Sequence, residues 1–134
     1  MVLGHDPWKR YRLHPDHRAA GFLLTDSLVA ARDPHFFREH FTLEPDLLPH
    51  RPAALLLWEA DEPDHVEDIS ATLEAKFAAL MSHRSQLLST MNIENESDVK
   101  QVEAFRQRTI DRAAEHGALA GLAQGEAFKR IDRL

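Results

Sequence analysis

Two histidines bracket a proline and an aspartate in RLHPDHRAAG, Arg12 to Gly21, and the stretch runs straight into a helical pattern. Imidazoles at this spacing can divide the work of hydrolysis, one binding zinc through a ring nitrogen while the other, not a ligand, points at the substrate. A hydrolytic zinc site usually keeps three protein ligands and a water, whose pKa the ion lowers from about 15.7 to about 7. A helix start adds N–H groups and a dipole that favour the anion formed when water attacks a carbonyl. Asp16 can fix the tautomer of a histidine by accepting a hydrogen bond from one ring nitrogen. The same residues also have a purely structural use, in which Pro15 and Asp16 open a helix, Asp16 serves as N-cap and both imidazoles lie on the surface. The spacing alone leaves both uses open.

Composition narrows the field. The 134 residues match one ordinary domain, and 43% apolar content is enough for a core. Sixteen Lys and Arg against twenty-two Asp and Glu give a formal charge of −6, which repels phosphate backbones and anionic membranes, so nucleic acid is not an expected partner. With no cysteine there is no disulfide framework and no thiolate nucleophile, and His, Asp and Glu are the candidate metal ligands. No apolar run approaches the roughly 20 residues needed to span a bilayer, and MVLGHDPWKRYR lacks the apolar core of a secretion signal. A cytoplasmic protein is expected.

The elements that must position the histidines follow from periodicity. Residues 1–15 mix Gly4, Pro7 and Pro15 with Trp8 and Tyr11 and read as an ordered loop. From His17 to about Arg32, Ala20, Leu23, Leu24, Leu28 and Ala31 fall at helical spacing, stopped by Asp33-Pro34. Pro34 to Pro52 reads as a connection with one short helical turn around Phe36 to His40. AALLLWEA, Ala53 to Ala60, is the continuous apolar run of a strand buried on both faces, as in parallel sheets covered by helices. HVEDIS, His65 to Ser70, is a second strand. Leu73, Phe77, Leu80, Met81, Leu87 or Leu88 and Met91 stripe a helix over about 71–90, and Val99, Val102, Phe105, Ile110, Ala113 and Ala114 stripe another over about 98–116, with Gly117 as C-cap. EAFKRI, Glu126 to Ile131, reads as a terminal strand. The order predicts an α/β fold with few strands and flanking helices.

HPDHRAAG resembles the second signature of the LmbE/PIG-L family of zinc-dependent N-deacetylases, which remove acetyl groups from N-acetylglucosamine-type sugars and their conjugates. AKFAALMSHRSQ, Ala75 to Gln86, is similar to that family's helix after the late strand, and EAFKRI to its closing strand, so the resemblance covers nearly the whole chain. It implies a Rossmann-like fold, Zn2+ as cofactor, an amino-sugar substrate and His17 as zinc ligand. It makes His14 the residue that polarises the amide carbonyl, stabilises the oxyanion or protonates the leaving amine, and gives Asp16 the role of orienting His14.

The family's earlier HPDDE-type signature, which supplies a further His and Asp for zinc and an Asp as general base, does not occur here. The resemblance therefore implies the C-terminal portion of the fold: one partial domain over 1–134, with 1–16 as active-site loop and the N-terminal βα units missing. One histidine cannot hold zinc tightly where three ligands are expected, so activity from this chain alone should be near nil. AALLLWEA would then carry an unpaired apolar edge, a template for self-association or for a complementing N-terminal half. The competing expectation is a non-catalytic α/β remnant or interaction module in which HPDH is only a helix cap.

In GHDPWKRY and its continuation, Trp8, Arg10, Tyr11 and Arg12 combine aromatic faces with cations, a mixture suited to stacking on a sugar; a loop anchored in the core by Trp8 is the alternative. Nothing in the spacing turns His5 or Asp6 inward. His83 matches the family pattern but falls on a polar helix face, Glu126 at the start of its strand borders the pocket by the same resemblance or is simply exposed, and EADEPDH, Glu59 to His65, reads as a solvated turn rather than a metal site.

Overall fold

The computed structural model describes residues 1–44 and 46–133, so Pro45 within the 34–52 connection and the terminal Leu134 lie outside the described residues. The chain forms two compact units, one of Met1–His65 with the stretch from Ala127 onward, the other of Val66–Glu126.

In the first unit, Ala54–Trp58 forms β2, whose Leu55, Leu56 and Leu57 are each 1% exposed. On one side it pairs in parallel with β1, Val2–His5, which sets His5 opposite Trp58. On the other it pairs antiparallel with β4, Gly125–Asp132, which sets Leu55 opposite Ile131. A strand with a partner on each side leaves only its two faces to bury, which accounts for the unbroken leucine run. The unpaired edge expected for AALLLWEA is therefore corrected, as is the reading of residues 1–15 as loop throughout. A four-residue strand holding one glycine is too short to display a period of two. The whole sheet has four strands in the order β1-β2-β4-β3, where β3 is His65–Asp68. The antiparallel β4 makes it mixed rather than purely parallel.

Helix α1 spans Pro15–Arg32, two residues earlier than periodicity suggests. Proline at the first helical position brings a preset φ and no N–H in need of a partner. The proline ring also pushes its predecessor toward extended backbone, and His14 accordingly sits at φ −71°, ψ 116° as N-cap, with no side-chain capping bond. This corrects the expectation of Asp16 as N-cap: Asp16 lies inside the first turn. Leu24 and Leu28 pack on Leu55 and Leu57 together with Val2 and Ile131, whereas Leu23 faces outward. The short helix α2, Arg38–Leu43, lies close to the expected turn.

In the second unit, α3 runs only from Leu73 to Met81 and a single 3-10 turn follows at Arg84–Gln86, so the helix expected over 71–90 is corrected. Leu87, Met91 and Ile93 leave helical spacing to fill a core with Leu80, Met81, Val102 and Phe105, and the Ile93 N–H closes that loop on the Leu87 carbonyl. Helix α4, Val99–Ala118, is capped by Asp98, whose carboxylate accepts from the Lys100 and Gln101 N–H groups. Gly117 is not the C-cap. It is buried within the last turn, where a Cβ would come within 2.7 Å of the Leu122 carbonyl oxygen.

Candidate functional site

β1 and β2 end side by side at His5 and Trp58, and the first turns of α1 meet them there. Gly21 permits the approach: a Cβ on it would lie 2.7 Å from the His5 carbonyl oxygen and 2.9 Å from Pro7 Cβ. The His5 ring stacks on His17 at 4.3 Å between centroids and 10° between planes, and His17 stacks in turn on His14 at 4.6 Å and 22°. The two histidines of HPDH are thus brought face to face, with a third beneath them that sequence reasoning sets aside. Recognising VLGH as a strand would place His5 at its carboxyl end.

The side chain of His5 is tightly held. Its Nδ1 accepts the Trp58 indole N–H at 2.8 Å and faces Arg12 Nη1 at 3.1 Å. Both neighbours are obligate donors, so Nδ1 carries the lone pair and Nε2 the proton. Burial, followed by the charges of His17 and Arg12, holds the His5 pKa below its ordinary value, against an opposing pull from Glu59. Glu59 Oε2 stands 3.6 Å from Nδ1, too far for a hydrogen bond, and instead accepts from Arg12 Nη1 at 2.5 Å. For Glu59, burial is the largest influence and works upward. The Arg12 hydrogen bond and charge, with His5 and Lys9, outweigh it and keep the carboxyl below its usual range.

Arg12 is 8% exposed, and its Nη2 donates to the Asp6 carbonyl at 3.2 Å. Its guanidinium therefore lies inside the protein and is not offered to solvent, bonded through Nη1 and Nη2 while the buried Nε has no hydrogen-bond partner among the described residues. Tyr11, immediately before it, has φ 57° and is 85% exposed. Trp8 is exposed with its ring edge against Phe22 at 6.1 Å, and the Arg10 backbone N–H donates to Asp61 Oδ2 at 2.6 Å. Trp8, Arg10, Asp61 and Lys129 line a shallow cavity of about 340 Å³. The sequence-predicted sugar-contacting residues therefore divide, with Trp8, Arg10 and Tyr11 outward and Arg12 inward.

His5, His17 and Glu59 each present a donor atom within 4.8 Å of the others. Imidazole and carboxylate suit zinc by type. Of the three, only His17 has ring nitrogens free of hydrogen bonds among the described residues. His17 is thus the member of this cluster able to offer an open ring nitrogen to a metal ion, with the imidazole of His14 beside it. The Asp16 carboxylate makes no hydrogen bond to His14 among the described residues and lies exposed in the first turn. Elsewhere, Asp64 of the acidic turn is bound to Lys129 Nζ at 2.5 Å and to the Arg130 N–H at 2.8 Å. In the second unit Glu126 pairs with Lys76 at 2.7 Å, and His83 is exposed at the start of the 3-10 turn.

Comparison with known proteins bears on what such a site serves. No family model matches the chain. It is 38% identical over 86 residues to a diacetylchitobiose deacetylase of Thermococcus kodakarensis, a match covering 64% of this chain and 32% of that protein. Its fold is similar to that of the N,N'-diacetylchitobiose deacetylase of Pyrococcus horikoshii, solved with an inhibitor, at a TM-score of 0.73 and 28% identity over 98% of this chain and 45% of that one. A conserved protein of Thermus thermophilus shares the fold at a TM-score of 0.62 and 23% identity, over 99% of this chain and 52% of that one. The chain spans between about a third and about half of the length of these proteins, and its relatives in sequence and in structure include diacetylchitobiose deacetylases.

Proposed function

We propose that this chain carries one side of the site of a zinc-dependent N-deacetylase acting on N-acetylglucosamine-type sugars, a member of the LmbE/PIG-L family. The observation that carries the reading is the placement of His14 and His17 ring on ring at the start of α1, in a chain similar to two diacetylchitobiose deacetylases. His17 would hold the ion through its open imidazole nitrogen. When bound, zinc supplies a water acidified into the neutral range and a Lewis acid for the amide carbonyl.

His14, unbonded at both ring nitrogens among the described residues and seated where the α1 N–H groups favour negative charge, polarises the carbonyl and hands a proton to the departing amine. Asp16 swings onto the free side of His14 to set its tautomer, a movement its exposed position permits. Trp8, Arg10 and Tyr11 meet the sugar with two aromatic faces and a cation, while Arg12 supports the loop from within. The remaining ligands and the general base come from a segment with an HPDDE-type signature outside these 134 residues, and the chain alone does not turn over substrate.

The test combines this chain with a polypeptide bearing such a signature and measures acetate released from N-acetylated chitobiose in the presence of zinc. Activity should appear in the mixture, vanish with His17→Ala and fall by roughly 10²- to 10⁴-fold with His14→Ala. Activity untouched by His17→Ala refutes the assignment.

A further inference from the structure

We infer that the Arg12 guanidinium is the resident cation of the His5–Glu59 pair, a positioning residue that keeps a divalent metal ion off those two side chains and leaves His17 as the metal-facing group. The inference rests on the proposed function only for the role of His17; the part concerning Arg12, His5 and Glu59 stands on the geometry alone.

His5, His17 and Glu59 have the donor types and the spacing of a metal triad. The hydrogen bonds inside it argue otherwise. Arg12 Nη1 lies 2.5 Å from Glu59 Oε2 and 3.1 Å from His5 Nδ1, where a metal bridging those two atoms would need to sit. The positive charge is already balanced by the carboxylate, and a dication placed against it would meet repulsion at contact distance. His5 has nothing to offer in exchange, because its Nδ1 lone pair is taken by Trp58 and Arg12 and its Nε2 carries the proton.

Arg12 is also not a side chain that can step aside. Its side chain is 5% exposed, its Nη2 holds the Asp6 carbonyl, and both Tyr11 and Glu59 adopt φ 57°, a left-handed conformation disfavoured for residues with a Cβ. Such backbone persists when surrounding contacts impose it, and here the Arg12–Glu59 pair joins the two distorted points. Because Arg12 lies two residues before His14, the same anchor sets where the HPDH loop enters α1.

The experiment is titration of the chain with zinc up to millimolar concentration, followed by the imidazole NMR signals so that weak binding is read, for wild type, Arg12→Met, Glu59→Gln and the double variant. Glu59→Gln alone should change zinc affinity less than twofold. Arg12→Met, which keeps an unbranched buried chain but removes the charge and the fork, should tighten zinc binding at least tenfold, and adding Glu59→Gln should abolish that gain. A tenfold weakening by Glu59→Gln in the wild-type background would show the triad already binding metal and overturn the inference, as would a folded Arg12→Met that gains nothing. If Arg12→Met does not fold, the Glu59→Gln arm decides, together with the His5 ring nitrogen NMR signals, which should keep their wild-type positions while zinc is added. Loss of zinc binding in His17→Ala belongs to the proposed function; if that variant binds normally, the function fails while the Arg12 arms still give their own answer.

Discussion

Gly21→Ala sets two forces against each other, and the structure decides the sign. Gly21 lies inside α1, where alanine is favoured over glycine by about 1 kcal/mol from backbone entropy and helix propensity alone. The added Cβ would meet the His5 carbonyl oxygen at 2.7 Å, Pro7 Cβ at 2.9 Å and Pro7 N at 3.0 Å. Two of these three atoms are backbone, one of them in β1, so relief requires the helix to move as a body. Overpacking of this kind costs about 1–3 kcal/mol, and contacts so short with backbone place it in the upper part of that range. The net expectation is a loss of about 1–2 kcal/mol. With a urea m-value of about 2 kcal/mol/M for a chain this size, the midpoint should fall by about 0.5–1 M. Ala19→Gly, at an exposed position of the same helix, is the control: it should lose about 1 kcal/mol with no steric component. Because Gly21 sits one turn beyond His17, the displaced helix should also loosen the His5–His17 stack and disturb the His17 ring resonances. A Gly21→Ala variant as stable as wild type, or more so, would show that α1 does not press on β1 as described.

The two aspartates near helix starts should behave differently. Asp98→Ala removes a carboxylate that accepts two N–H bonds and should cost about 1 kcal/mol by chemical denaturation, whereas Asp16→Ala removes only a first-turn charge and should cost a few tenths. Equal losses would contradict the N-cap geometry. His116 is held below the ordinary histidine pKa, first by burial and then by Arg112 and Lys76, against Glu126 and Glu115. The unfolded chain therefore takes up a proton that the folded chain refuses as pH falls through about 6.5 toward the lower folded value, so stability drops in that window and is retained above it. Thermal midpoints at pH 7.5 and 5.5 should differ less for His116→Gln than for wild type, and an equal drop in both would exclude His116 as a source.

Much of the fold is legible where burial and period agree. The leucines of β2 and the stripe of α4 announce themselves because each pattern is sustained and tied to one packing face. Legibility fails where tertiary structure overrides the local signal. Leu87 and Met91 continue the α3 stripe on paper, yet Leu87, Met91 and Ile93 turn off the helix to fill the core. β1 is too short to show a period, and with it the sequence hides His5, whose role depends on standing opposite Trp58. Within the site, HPDH is visible from the type and spacing of its residues. Arg12 and Glu59 are not, because they are 47 positions apart and meet only once β1 and β2 pair. A basic residue in an aromatic loop looks the same in sequence whether it faces a ligand or the interior.

The stack of three imidazoles has a practical corollary. A ring sandwiched between two aromatic neighbours experiences the diamagnetic currents of both, so the carbon-bound protons of His17 that lie over those faces should resonate upfield of the free amino acid, and those of His14, with one imidazole neighbour, less so, while His5 also feels the Trp58 indole at 4.9 Å. The proposed metal-facing residue thus reports on the integrity of the stack through its own proton shifts.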